Sequence, residues 1–379
     1  REAAQQGRKP PPLEIPDDVR GALALRLDRL SQGCNRMLAA AAVIGSEFDQ
    51  SVLESVLELE RDEVQRLLDE AAQARVTEPL EIGRWRFSHG LFRDLLHDEL
   101  PFDRRAAWHR RAAEALEELH RGPPEPHLAE IAFHFREATS LGDPEKAIEY
   151  SIRAGRRAAA LMAHREAIGH LDWAREALSS ERPRNDARLC DLLAELSVVL
   201  WNAGDSVRAQ SLAESAFEMA RRVDSPEALA RAALAYAGRV QLFSAVRSDE
   251  RAVQLLDEAL RVLGSDERLL ALVMARLAAE LTFSDEGERM RELAEGAIAI
   301  ARRLGDPSVL APVLKATHWA LWVPERIVER QKGAAEILEL ARASGDPAIT
   351  LDARLLRLWA LLEVGDGPAA HRELDGCAQ

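Results

Sequence analysis

The sequence predicts a mostly α fold: a small helical module closed by a β-hairpin, followed by a solenoid of paired helices. Three observations predict it. Hydrophobic residues make up 47% of the 379-residue chain but aromatics only 5%, and Ala and Leu carry most of the apolar share, as in helix-rich proteins. Turn signals built on an acidic residue recur at Asp143, Asp186, Asp224, Asp266, Asp306 and Asp346, at spacings of 43, 38, 42, 40 and 40. The apolar period shifts from helical to alternating over a single stretch, residues 75–88.

Taken in order, residues 1–15 hold Pro10, Pro11 and Pro12 among polar residues and read as a linker. From Asp17, Val19, Leu23, Leu27 and Leu30 share one face of a helix that ends near Gly33. Helical patterns follow over Asn35 to Ile44, stopped by Gly45, then over Gln50 to Leu57 and Arg61 to Ala74. Arg75 to Leu80 and Trp85 to Ser88 alternate as two strands around a turn at Glu81-Ile82-Gly83. Several helices and then a hairpin is the winged-helix order, which gives a winged-helix domain over residues 16–100. His89 to Leu100 and Phe102 to His120 read as helices separated by Pro101, the second ended by Gly122-Pro123-Pro124. Residues 101–121 form a connector at the start of a repeat domain spanning 101–379.

Within that domain the acidic turns divide the chain into intervals holding two amphipathic stretches each. Second breaks fall roughly midway, at His164, Gly204-Asp205, Ser248-Asp249, Asp285-Glu286-Gly287, Pro324 and Gly365-Asp366-Gly367. Gly ends one helix in a left-handed cap, Asp accepts from the free N–H groups of the next, and Pro at the first helical position loses no bond. A lone hairpin cannot bury its apolar stripe, so neighbours stack, giving about six pairs by this punctuation. Small residues on one face, Ala209, Ala213 and Ala216 or Ala167, Ala174 and Ala177, set the close spacing.

Charge and cysteine usage remove several function classes. Lys and Arg number 50 against 64 Asp and Glu, a formal charge of −14, so the whole chain is repelled by nucleic-acid phosphate and by anionic membranes. The third helix of the N-terminal module, Glu60 to Glu70, carries five acids against two arginines, which argues against groove binding there. Cys34, Cys190 and Cys377 are far apart and fit neither a disulfide framework nor a zinc site, the usage of a reducing cytoplasm. There is no membrane-length apolar run, no signal segment and no GxxxxGK[ST] phosphate loop, so neither membrane insertion nor ATP hydrolysis is expected of this chain. His120, His127 and His134 recur every seven residues, but Gly122, Pro123, Pro124 and Pro126 interrupt the helix that would align them, so no metal site is expected. No catalytic motif is present, and no catalytic residue is assigned.

Two groups of residues resemble known families. Gly204, Ala209 and Ala216 stand in the tetratricopeptide pattern of small residues, with a period near 40 in place of about 34. The runs Ile15-Pro16-Asp17-Asp18-Val19, Leu27-Asp28-Arg29-Leu30-Ser31, Leu38 to Phe48, Trp85 to Asp94, and Arg105 with His109 resemble the segment after the nucleotide-binding module of large bacterial STAND-type signalling ATPases. That family includes the large LuxR-type transcriptional regulators and multidomain nucleotide cyclases. The resemblance covers roughly residues 13–180 and implies a winged helix and an α-α superhelix of tetratricopeptide-like repeats between an ATPase core and an effector domain. It implies no cofactor in this chain and ATP or ADP in a longer parent, of which this sequence, starting at Arg1, reads as a piece. It also implies that His89 contacts the bound nucleotide's phosphate in that parent. Without the parent, His89 reads as a helix-start residue capping against Ser88 or Asp94.

The functional expectation is a non-catalytic regulatory segment. Its repeats receive a protein or small-molecule signal and its winged helix relays it to a nucleotide-binding module of the same parent chain. The alternatives are a plain interaction scaffold and a DNA-binding regulator acting through the winged helix. Arg104, Arg105, Trp108, Arg110 and Arg111 form a basic and aromatic cluster, a docking patch for that module or else a solvated face paired with Glu114, Glu117 and Glu118. His318, Trp319, Trp322 and Trp359 gather at one half-repeat and form either core or a surface for the signal.

Overall fold

The computed structural model describes residues 17–120, 126–142, 144–181, 185–238, 249–320, 327–344 and 347–377. The chain divides into two compact units, residues 1–154 and 155–379.

In the first unit, α1 (Asp17–Leu27) leads into α2 (Gln32–Ile44), whose Met37, Leu38 and Ala40 to Ile44 are buried. Ser31 caps α2, its hydroxyl oxygen accepting from the Cys34 N–H at 3.1 Å, and donates in turn to Glu70 (hydroxyl to Oε2, 2.8 Å). Glu70 lies on α4 (Arg61–Gln73), reached through β1 (Glu47–Asp49) and α3 (Gln50–Leu57). Part of the acidic face of α4 therefore serves to fix the start of α2. The hairpin is β2 (Thr77–Glu81) and β3 (Arg84–Phe87), turned at Gly83 with φ of +79°. β1 pairs antiparallel with β3, giving the order β1-β3-β2 and setting the Phe48 and Phe87 rings 5.7 Å apart. The sequence reading leaves out β1, because three residues with one apolar side chain show no alternation. Beyond the sheet come α5 (Gly90–Asp98), α6 (Phe102–Leu119), α7 (Leu128–Glu137) and α8 (Glu145–Ala160), the last running through the division between the units.

The second unit is an ordered stack of paired helices: α9 (His164–Ser180), α10 (Asp186–Asn202), α11 (Ser206–Arg222), α12 (Pro226–Ala237), α13 (Glu250–Val262), α14 (Glu267–Glu280), α15 (Gly287–Leu304), α16 (Pro307–Ala320), α17 (Ile327–Ser344), α18 (Pro347–Glu363) and α19 (Gly367–Cys377). The acidic turns do what their chemistry requires at several joints. Asp205, Asp249 and Asp266 cap α11, α13 and α14, and Asp306 and Asp366 accept from the N–H groups of Ser308 and Ala369. At two joints the cap moves by one residue: Asn185 caps α10 in place of Asp186, and Ser225 caps α12 while Asp224 takes a left-handed φ of 51°. Asp143 and Asp346 lie outside the described residues.

Alanines make the close contacts: Ala209, Ala213 and Ala216 are fully buried, as are Ala294, Ala297 and Ala301. On α9 the buried face is Ala167, Leu171, Ala174 and Leu178, and Ala177 sits half-exposed beside it. A Cβ on Gly155 would come within 2.7 Å of the Leu171 side chain, so this position of α8 needs the missing side chain. The surface carries a ladder of ion pairs one repeat apart. Arg156 grips Glu195 through two bonds (2.8 and 2.9 Å), Arg303 grips Glu267 likewise (3.0 and 2.9 Å), and Arg221 meets Glu258 and Arg251 meets Glu214 at 2.6 Å. The fork of a guanidinium suits such bridges, which gives the arginine-rich composition a structural use. Exposed pairs of this kind contribute about 0–1 kcal/mol each, so the ladder fixes the register of neighbouring repeats more than it stabilises them. No helix among the described residues is long and apolar enough to cross a membrane.

Candidate functional site

The second unit contains a cavity of about 570 Å³ between α15 and α17, with α16 supplying one wall. Its apolar lining is Ile298 and Ala299 from α15, Leu314 from α16, and Gly333 and Ile337 from α17. Leu314 and Ile337 belong to a buried cluster with Leu338 and Leu356, so the floor is a fixed piece of core. A Cβ on Gly333 would meet nothing within 4 Å, which marks open space at that wall. The ion pair between Arg302 and Glu336 (2.9 Å) ties α15 to α17 beside the opening.

His318 lies in the wall, 6% exposed. Burial, aided by the nearby Arg330 charge, pushes its imidazole down to about 4, so the ring is neutral at physiological pH. The Arg330 guanidinium is buried and bonded to Glu363 at 2.7 Å. Of the aromatic residues grouped with His318 by the sequence, Trp359 is half-buried on α18. Trp322 and the Trp319 side chain lie outside the described residues, as does the expected approach of Trp319 to Trp359.

The other expected sites fall in the first unit. His89 is exposed and forms the N-cap of α5, its Nδ1 accepting from the Leu91 N–H at 3.3 Å. The basic cluster on α6 does not stand on one surface. Trp108 is 6% exposed and packs inward; Arg111 reaches the Val56 carbonyl (3.0 Å) and Glu58 (3.1 Å), not the acids of its own helix. Arg110 pairs with Glu114 at 3.1 Å as helical spacing requires. Arg105 sits 5.9 Å over the Phe102 ring, and Arg104 is exposed. Arg110 also borders a smaller cavity of about 340 Å³ with Phe135 and Lys146.

The three histidines spaced by seven do not come together. His120 and His127 stack at 3.8 Å, whereas His134 meets His109 of α6, Nδ1 to Nδ1 at 2.8 Å, in the buried core. Desolvation lowers both buried imidazoles, His109 to about 3 with the neighbouring His134 adding to it, and His134 to about 4. This pair escapes sequence reading because its members are 25 residues apart on two helices. Among the described residues no group of His, Cys, Asp and Glu could hold a metal ion. Cys34 and Cys190 are fully buried, their thiols pushed up to about 12 and 11 chiefly by burial, which leaves them unreactive.

Among solved structures, the chain is similar to aspartyl phosphate phosphatase F from Bacillus subtilis, with a TM-score of 0.51 and 13% identity over 96% of this chain and 88% of that one. It is also similar to a Rap protein complexed with competence and sporulation factor (TM-score 0.48, 13% identity, 94% and 86% covered). A third similar structure is a Signal Transduction ATPase with Numerous Domains protein with a tetratricopeptide repeat sensor from Pyrococcus horikoshii (TM-score 0.43, 9% identity). The match to this last protein covers 92% of the chain, which spans 57% of that protein's length. No family model matches the sequence, and no curated protein matches it. The fold is thus mostly α, with tetratricopeptide-like helical repeats.

Proposed function

We propose that this chain is a regulatory segment that acts by binding rather than by catalysis, receiving a signal in its helical repeats. The observation that carries the reading is the α15–α17 cavity, whose volume lies within the 300–1,000 Å³ range of ligand sites and whose lining joins an apolar floor to ionised and polar side chains. In this reading residues 16–100 are a winged helix, a reading supported by the helices and three-stranded sheet found there, and they relay the signal to a nucleotide-binding module of a STAND-type parent. His89 supports the relay: its exposed imidazole stands at the N-terminus of α5, where the helix dipole favours a phosphate. Arg104, Arg105 and Arg110 would meet that module. ATP or ADP would bind the parent's module and no cofactor this chain, which would work in the cytoplasm and touch neither DNA nor membrane directly. Transcription is the output that the resemblance to LuxR-type regulators favours.

A signal can move such a switch only by binding its two states unequally. The test is therefore the affinity of the parent for its signal with the nucleotide site empty and filled. A difference of about fivefold or more supports relay, in the range of ordinary allosteric coupling. Equal affinities would leave an interaction scaffold, and loss of ADP retention in His89→Ala would place that residue on the nucleotide.

A further inference from the structure

We infer that the α15–α17 cavity takes a compact, uncharged, predominantly apolar molecule, a ligand class that rests on the reading of this cavity as the signal site. The lining holds three cations and three carboxylates, so it selects for neither sign. The charges are also spent or solvated. Arg302 is bonded to Glu336 and Arg330 to Glu363, and Glu295, Glu329 and Lys332 are exposed, where water screens their charge. What faces the interior is Ile298, Leu314 and Ile337, with exposed Ala299 at one side and open space at Gly333. The Thr317 hydroxyl is turned back to its own helix, donating to the Val313 carbonyl at 2.9 Å. The buried His318 imidazole in the wall is uncharged because of its desolvation. An anion placed here would give up hydration beside as many carboxylates as cations, whereas apolar surface gains on entry.

Two fluorescent probes with one ring skeleton separate the possibilities: N-phenyl-1-naphthylamine, which is neutral, and 8-anilinonaphthalene-1-sulfonate, which adds a single anionic group. Titrated into the full chain, the neutral probe should bind at one site at least about tenfold more tightly, since the sulfonate must be desolvated. Gly333→Trp fills the open wall and should abolish that binding. Ala299→Trp, at an exposed position of α15, does the same from the opposite side and guards against a folding defect, with circular dichroism confirming helicity. Sulfonate binding as tight as that of the neutral probe, and lost in both variants, would overturn the uncharged class and leave the cavity as the site. Binding that survives both variants, or no binding of either probe, would overturn the cavity reading and this inference with it.

Discussion

Residues 1–154 and 155–379 bury their apolar surface by different means. The first unit interlocks large side chains, with Phe48, Trp85, Phe87, Phe92, Trp108 and Phe135 buried alongside His109 and His134. The second packs small ones: among its described residues Phe217 is the one aromatic in the buried core, and alanine dominates the helix contacts. Large interlocking rings specify a single arrangement, whereas small residues let a repeated pair stack indefinitely with its spacing open to adjustment. Where the second helices of neighbouring pairs stand apart, as α15 and α17 do, that adjustable spacing leaves room for a ligand.

The difference can be broken most forcefully at Phe92, which is 2% exposed. Phe92→Ala should cost about 3–5 kcal/mol in urea denaturation. Hydrogen exchange should show the protection lost from residues 17–154 while 155–377 keeps its own. Simultaneous loss in both would mean that the chain folds as one cooperative body.

Acid should act next, and unequally. His109 and His134 have folded values below the unfolded value near 6.5, so the unfolded chain binds more protons and stability rises with pH across that window. Their contribution is fully present above 6.5 and is lost as pH falls toward 4, with a slope of up to about 1.4 kcal/mol per pH unit for each imidazole. In the second unit His318 is shifted in the same direction. Denaturation followed from pH 7.5 to 4.5 should therefore weaken residues 17–154 more steeply. His109→Gln with His134→Leu should flatten that slope, and an unchanged slope would remove the pair from the explanation.

Overpacking tests the alanine side. Ala213→Leu, at a fully buried contact on α11, should cost about 1–3 kcal/mol, measured by thermal melting, because the neighbouring helix must move to admit it. The smallest effect belongs to the ladder. Arg303→Gln should cost less than about 1 kcal/mol and lose even that in high salt.

Much of the repeat unit was legible because its punctuation is local. A glycine that must turn left-handed, as Gly204 does at φ of +87°, and an aspartate that caps, as Asp205 does, declare a joint within a few residues. β1 was not legible, since its only evidence is pairing with β3 some 37 residues away. The cavity follows from the distance between two helices, which no periodicity encodes, although the sequence groups His318, which lies in its wall, with Trp319, Trp322 and Trp359. The His109–His134 pair was hidden for the same reason, while the regular spacing of His120, His127 and His134 suggested a grouping that the interrupted helix prevents.

Hydrogen exchange of the full chain with and without saturating N-phenyl-1-naphthylamine tests the signal-receiving role most directly. Added protection is expected on α15, α16 and α17 around residues 295–302, 314–318 and 329–337, with residues 17–154 unchanged in the absence of the parent. Protection centred in the first unit, or spread evenly along the chain, would contradict a receptor site in the repeats.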